Sequence, residues 1–222
     1  MPQKHSLSLA LIAFLPALLS AFGLFVIARM LKRKNEIIGE LAFTGALMMT
    51  VGNLLGAVAK LLNATKGTDT EGMSRAAFLL LAPGAVCLAW ALWQGLRDGA
   101  AKVSGGSVWL TPLFLNAGLL ALTAATKLVR GGRAWVTLLL TVLTVAGVAA
   151  GVQLARRALQ HQQIVVAGLF LLSLVMSLTL HRIGGEGSSA EATEWAKQVS
   201  NLIAQGALTF AAYKLSQIEM NA

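Results

Sequence analysis

Seven apolar stretches alternate with short polar connections along this chain. They are Leu7–Met30, Ile37–Leu62, Ala76–Leu96, Val108–Leu128, Ala134–Leu154, Ile164–Leu180 and Thr193–Leu215. Each is close to the roughly 20 residues that a helix needs to cross a bilayer, and none alternates like a barrel strand. The pattern therefore predicts an all-α polytopic membrane protein, a bundle of about seven transmembrane helices with short loops.

Turn and helix-breaking residues refine this prediction. Gly131-Gly132 leaves so short a connection that the fourth and fifth helices should be antiparallel neighbours. Pro16 predicts a kink or a local loosening in the first helix, and Pro83-Gly84 predicts a bend in the third. All of these features fit a single transmembrane domain over residues 1–222.

The seventh stretch differs from the others because it carries a continuous polar stripe. Its polar residues follow a 3-4-3-4 spacing: Glu191, Glu194, Gln198, Asn201 and Gln205. At about 100° per residue they share one narrow face, which Lys197 borders. Such a stripe cannot face lipid cheaply, so we expect it to face other helices or water.

Two other stretches carry polar residues on one side. In the second, Met49, Asn53, Gly56, Lys60 and Asn63 share a face, and Gly52-xxx-Gly56 permits close approach of a neighbouring helix. In the fourth, the polar positions trend to one side: Asn116, Thr123, Lys127 and Arg130. Asn116 follows Pro112 by four residues and is expected to compensate the amide proton lost there.

Three interpretations of the seventh-helix stripe remain open. It lines a polar pathway or cavity, or its amides bind helices together by hydrogen bonds, or its acidic end is only a helix start. Ser188 and Glu191 form an S-x-x-E capping box, which predicts a helix over 188–217. In the pathway hypothesis the seventh-helix stripe faces helices two and four. The residues that line the pathway are then Glu194, Lys197, Gln198, Asn201, Gln205, Asn53, Lys60 and Asn116.

Composition supports a membrane location and argues against nucleic acid as a partner. Of the 222 residues, 56% are hydrophobic and only 12% are charged. The net charge of +9 comes from basic residues that lie mostly at the ends of apolar stretches. That placement suits a lipid bilayer with anionic headgroups. Alanine- and leucine-rich helices with short loops are typical of a bacterial inner membrane.

The basic residues do not decide the orientation of the bundle. With seven crossings, nine of the 18 lysines and arginines fall on each side. A cluster of Arg29, Lys32, Arg33 and Lys34 after the first helix places the N-terminus outside. Dual topology, or insertion guided by a partner, is the alternative.

Motifs for catalysis or cofactor binding are absent from the sequence. It contains no GxSxG, HExxH, GxxxxGK[ST] or GxGxxG pattern, and Cys87 is a single cysteine. His161 and His181 flank the sixth helix and lie too far apart to share a haem. We therefore expect no cofactor and no metal.

The leading functional hypothesis is a non-enzymatic membrane protein with a polar pathway for a small solute or ion. One alternative is a structural or accessory subunit of a larger membrane complex, which the lack of motifs, the short loops and the balanced charge favour. The stripe would then dock against a second copy in a homo-oligomer or against another membrane subunit. The other alternative is a lipid-acting enzyme that uses His181 and the nearby acidic residues Glu186, Glu191 and Glu194.

Overall fold

The computed structural model describes residues 7–67, 69–97, 105–183 and 191–221. In these ranges the chain forms nine helices and no strand. The helices are α1 (Leu7–Ile12), α2 (Phe14–Lys34), α3 (Glu36–Lys66), α4 (Glu71–Ala76), α5 (Phe78–Gly95), α6 (Gly105–Arg130), α7 (Ala134–Gln160), α8 (Ile164–Ile183) and α9 (Glu191–Asn221).

The predicted all-α membrane bundle is confirmed. α1 continues into α2 and α4 into α5 with a single intervening residue, so the described ranges contain seven long helical segments. The α1–α2 break lies at Ala13, close to Pro16, whose ring nitrogen has no proton to donate to the preceding turn. Pro83 lies inside α5, whose break from α4 lies upstream at Ala77.

Five segments are long and apolar enough to cross a membrane. They are Leu7–Lys34, Glu36–Lys66, Glu71–Gly95, Val108–Val129 and Ala134–Gln160. α8 contributes a shorter apolar stretch, Ile164–Thr179. α9 is less apolar because it carries the polar stripe. The chain thus has the helices of an integral, multi-pass membrane protein.

Several helices extend beyond their predicted bounds. α3 covers Glu36–Lys66 rather than 37–62, because Asn35 caps it with its Oδ1, which accepts from the backbone amides of Ile37 and Ile38. α7 continues to Gln160 and α9 to Asn221. Hydropathy locates only the apolar part of each helix, so polar final turns are missed. Ser188, the proposed cap of the seventh helix, lies outside the described residues.

Six helices form a closed ring. Each contacts the next in the order α2, α3, α5, α7, α8 and α9, and α9 contacts α2 again. α6 lies outside this ring and packs mainly against α5 and α7. The predicted tight turn connects α6 to α7. Gly131 and Gly132 make that turn possible, since both have positive φ.

Small residues bring α3 and α5 into backbone contact within the ring. A Cβ atom on Gly45 would lie 2.7 Å from the carbonyl oxygen of Gly84, and one on Gly84 would lie 2.9 Å from that of Gly45. The Gly52-xxx-Gly56 pattern acts only at Gly52, which packs against Leu81, because nothing lies within 4 Å of a Cβ on Gly56. Gly56 instead borders a cavity.

The ring is closely packed at one end. The buried cluster there includes Leu31, Ile38, Leu92, Leu154 and Phe170, each at most 2% exposed. These residues lie toward the ends of α2, α5 and α7 and the starts of α3 and α8. We refer to this as the packed end of the bundle. The opposite halves of the same helices surround the cavities described next.

Candidate functional site

Two cavities of about 270 Å³ each lie within the six-helix ring. The first, here the amide chamber, is lined by residues of α2, α3, α4, α5 and α9 that include Lys60 and Gln198. The second, the apolar chamber, is lined by residues of all six ring helices. Five residues border both chambers: Ser20, Asn53, Leu81, Asn201 and Gln205. The chambers therefore adjoin at a polar boundary.

The boundary residues are joined by long hydrogen bonds. The Asn53 amide donates to the Ser20 hydroxyl at 3.4 Å, and the Gln205 amide donates to Asn201 Oδ1 at 3.5 Å. Both exceed the usual 2.7–3.2 Å, so these donors are held weakly. A polar group in the cavity could replace either partner at little energetic cost.

One amide of the stripe is not satisfied by the protein. Gln205 Oε1 is buried and has no hydrogen-bond partner in the described part of the chain. Gln198 is only 3% exposed, and it lines the amide chamber. Because an unpaired buried polar group costs roughly 1–3 kcal/mol, the Gln205 carbonyl favours a hydrogen-bond donor in the cavity beside it.

Charged side chains lie near the end of the amide chamber that is away from its boundary with the apolar chamber. Lys60 lines it and interacts electrostatically with Glu194 and Lys197. Glu194 Oε1 accepts a hydrogen bond from Lys197 Nζ at 2.7 Å, and neither side chain lines the chamber. Among these three described side chains the two lysines exceed the one glutamate by one positive charge, which favours an anionic group.

The apolar chamber has a different lining. Its walls are mostly leucine, isoleucine, valine, methionine and phenylalanine side chains, with Phe170 and Leu154 toward the packed end. Thr144, Ser173 and Ser177 add a few hydroxyl groups on α7 and α8. The two chambers together form one amphipathic space, polar at one end and apolar at the other.

The structure brings seven of the eight predicted site residues into one region. Asn53, Lys60, Gln198, Asn201 and Gln205 line the amide chamber, and Glu194 and Lys197 act on Lys60. The eighth is Asn116.

Asn116 belongs to a different part of the bundle. It lies on α6, outside the ring, and lines neither chamber. Its amide nitrogen lies 3.4 Å from the Pro83 carbonyl oxygen and 3.3 Å from Cys87 Sγ, both on α5. The expectation that the stripe faces the fourth helix is therefore wrong, and so is the compensation of Pro112. The stripe faces α2 and α3.

Sequence reasoning missed two polar contacts of the ring. Ser20 is 4% exposed and borders both chambers, and Thr209 donates to the Leu19 carbonyl oxygen at 2.6 Å, which joins α9 to α2. Thr209 lies four residues after Gln205 and so shares the face of the stripe, and a search of that face could have found it. Ser20 has no such signal, since a single serine within an apolar helix usually bonds to its own backbone.

An ionic cluster around Glu219 was also missed, because the predicted helix ended at residue 217. Glu219 lies in the last turn of α9, beyond its apolar part, and its side chain is 7% exposed. Its carboxylate lies 2.8 Å from Lys34 Nζ, 2.5 Å from Arg157 Nε and 3.3 Å from His161 Nε2. The cluster therefore joins α2, α7 and α9 at the packed end.

Glu219 remains ionised well below neutral pH. Burial raises its pKa, but hydrogen bonds and charges of Arg157 and Lys34 outweigh burial and lower the pKa from 4.5 to about 2. Of the residues proposed for a lipid-acting enzyme, only Glu194 has a described side chain, which bonds to Lys197. Glu186 lies outside the described residues, and the side chains of His181 and Glu191 are not described.

No protein-family model, no curated protein and no solved structure matches this chain.

Proposed function

We propose that this protein binds a small amphiphilic solute in its two chambers and conducts it across the membrane. The observation that carries the proposal is the polar boundary at which the chambers adjoin, formed by Ser20, Asn53, Asn201 and Gln205. Amides used only to join helices would bond firmly to each other. These bond weakly and border a cavity inside a ring of helices.

The linings indicate the chemistry of the solute. Gln198 and Asn201 offer hydrogen bonds, and Lys60 adds positive charge, so the polar end suits an anionic head. The apolar chamber suits a short hydrocarbon body. Ligand cavities in proteins usually measure about 300–1,000 Å³, and the two chambers together fall in that range.

Uptake of hexanesulfonate into proteoliposomes tests the proposal. This probe has an apolar body and keeps its negative charge at all relevant pH values, so it crosses protein-free bilayers slowly. We expect the Gln198→Leu variant to take it up about tenfold more slowly than the unmodified protein, the effect of losing one ligand hydrogen bond. The triple variant Q198L/N201L/Q205L should take it up no faster than protein-free liposomes.

Matched controls separate the chambers from the rest of α9. Val199 and Ile203 lie on the opposite, exposed face of the same helix, so Val199→Leu and Ile203→Leu should leave uptake unchanged. Lys60→Met should reduce the preference for hexanesulfonate over the cation hexyltrimethylammonium. Unchanged uptake in a correctly assembled triple variant would refute the pathway and leave the role of a structural subunit.

The same proposal includes a host membrane and an oligomeric state that uptake does not measure. We expect the bacterial inner membrane, where alanine- and leucine-rich helices with short loops are common, and association with a second copy or another membrane subunit. Native mass measurement in mild detergent addresses the oligomeric state, and a monomer at all concentrations would contradict association.

A further inference from the structure

A third cavity, of about 410 Å³, lies at the packed end, away from the two chambers. It lies between the C-terminal ends of α5 and α7, and three of its seven lining residues are arginines: Arg97, Arg156 and Arg157. The others are Trp93, Leu96, Gln153 and Gln160, so none of the described residues that line it is acidic. We refer to it as the arginine pocket.

The arginines are positioned in different ways. Arg157 is fixed by Glu219, and its NH1 group donates to Gln160 Oε1 at 3.1 Å. The guanidinium of Arg97 lies 4.3 Å from the ring centre of Trp93. Arg156 is exposed, and neither it nor Arg97 has a carboxylate partner among the residues described.

The described charged groups that line the pocket or belong to the adjoining Glu219 ion pairs with Lys34 and Arg157 are unbalanced. Lys34 and the three arginines carry four positive charges, and Glu219 carries one negative charge. Guanidinium groups bind phosphate oxygens through paired, charge-assisted hydrogen bonds. Basic pockets between helices, at the level where tryptophans meet the headgroups, are typical lipid-phosphate sites.

We infer that the arginine pocket is a binding site for a phosphate group, held by Arg97 and Arg156 beside the fixed Arg157. The phosphate comes either from an anionic phospholipid headgroup or from a soluble phosphate. This inference is independent of solute transport, since the pocket shares no lining residue with the amide or apolar chamber.

The test compares two charge-matched double variants in nanodiscs. Arg97→Gln with Arg156→Gln removes two charges from the pocket. Arg29→Gln with Arg33→Gln removes two charges from exposed positions on the same side of the membrane that do not line it. Native mass spectrometry counts phosphatidylglycerol retained from mixed phosphatidylcholine nanodiscs. A second arm titrates inorganic phosphate in pure phosphatidylcholine and follows the thermal unfolding midpoint.

We expect the pocket variant to retain phosphatidylglycerol about tenfold more weakly than the unmodified protein, and the control variant to retain it normally. That result assigns the phosphate to a lipid. If only the inorganic phosphate effect is lost in the pocket variant, the site takes a soluble phosphate. If both double variants behave alike in both arms, the inference is wrong. All four positions are exposed, so the variants should assemble, and gel filtration checks this.

Discussion

Single residues set how closely the ring helices approach. At Gly45 and Gly84 the backbones of α3 and α5 touch, and each glycine would place a Cβ within 3 Å of the other's carbonyl oxygen. A carbonyl oxygen within a helix cannot rotate away as a flexible side chain can. The absent side chain at these two positions is therefore what permits the contact.

A single methyl group at Gly45 should destabilise the bundle. Gly45→Ala forces α3 and α5 apart, and overpacking of this kind costs roughly 1–3 kcal/mol. The measurement is the thermal unfolding midpoint in detergent, which should fall. Gly118→Ala is the matched control, because Gly118 also lies within a helix but nothing is within 4 Å of its Cβ position. Equal midpoints for the two variants would contradict the prediction.

Whole helices divide into those that form the ring and one that supports it from outside. α6 contacts mainly α5 and α7, and its exposed face carries large apolar residues such as Leu113, Phe114 and Leu115. Its polar residue Asn116 is directed at α5, whereas Asn53 of α3 borders both chambers. Two asparagines in apolar helices thus have different roles.

Replacing each asparagine with leucine should distinguish the helix-packing role of Asn116 from the chamber-lining role of Asn53. Asn116→Leu removes weak interhelical hydrogen bonds, so we expect a loss of at most about 1 kcal/mol in stability and unchanged uptake of hexanesulfonate. Asn53→Leu should slow uptake severalfold because it removes a polar group from the boundary of the chambers. Thermal unfolding and proteoliposome uptake, measured on the same preparations, provide the comparison. Slower uptake in Asn116→Leu alone would reverse the assignment.

At the scale of elements, the sequence predicted the helices well because length and apolar composition decide them in a membrane. It also predicted five of the polar residues that line the amide chamber, since such side chains cannot face lipid: Asn53, Lys60, Gln198, Asn201 and Gln205. It could not predict that Asn116 lies outside the ring. Every helix here has a mostly apolar surface, so the pairing of neighbouring helices depends on close contacts such as that of Gly45 with Gly84. Hydropathy does not detect such contacts.

The whole molecule has two unlike ends. One holds the buried apolar cluster, the Glu219 ion pairs and the arginine pocket, and the other holds Lys60, Glu194 and Lys197 near the amide chamber. Three of the five segments that are long and apolar enough to cross a membrane lie between the α3–α4 connection and the α7–α8 connection, so we expect these connections on opposite sides. We also expect the cluster from Arg29 to Lys34 to lie inside, which would put the α3–α4 connection outside.

Cysteine labelling in intact cells tests this arrangement. Lys66 and Gln163 are exposed positions in these two connections, and the native Cys87 is buried. A membrane-impermeant maleimide should label Lys66→Cys and leave Gln163→Cys unlabelled until the membrane is permeabilised. Full labelling of both from outside would contradict an odd number of crossings between the two positions, and partial labelling of both would indicate dual topology.

The hydrogen bond from Thr209 to the Leu19 carbonyl oxygen joins residues 190 positions apart. At about 5–20 residues per second, a ribosome needs roughly 10–40 s to produce α9 after α2. Throughout that interval α2 and α3 lie in the bilayer without the wall that α9 supplies. Their own Asn53–Ser20 hydrogen bond gives both polar side chains a partner in the bilayer during that interval, and because the bond is long it can be exchanged once α9 closes the ring.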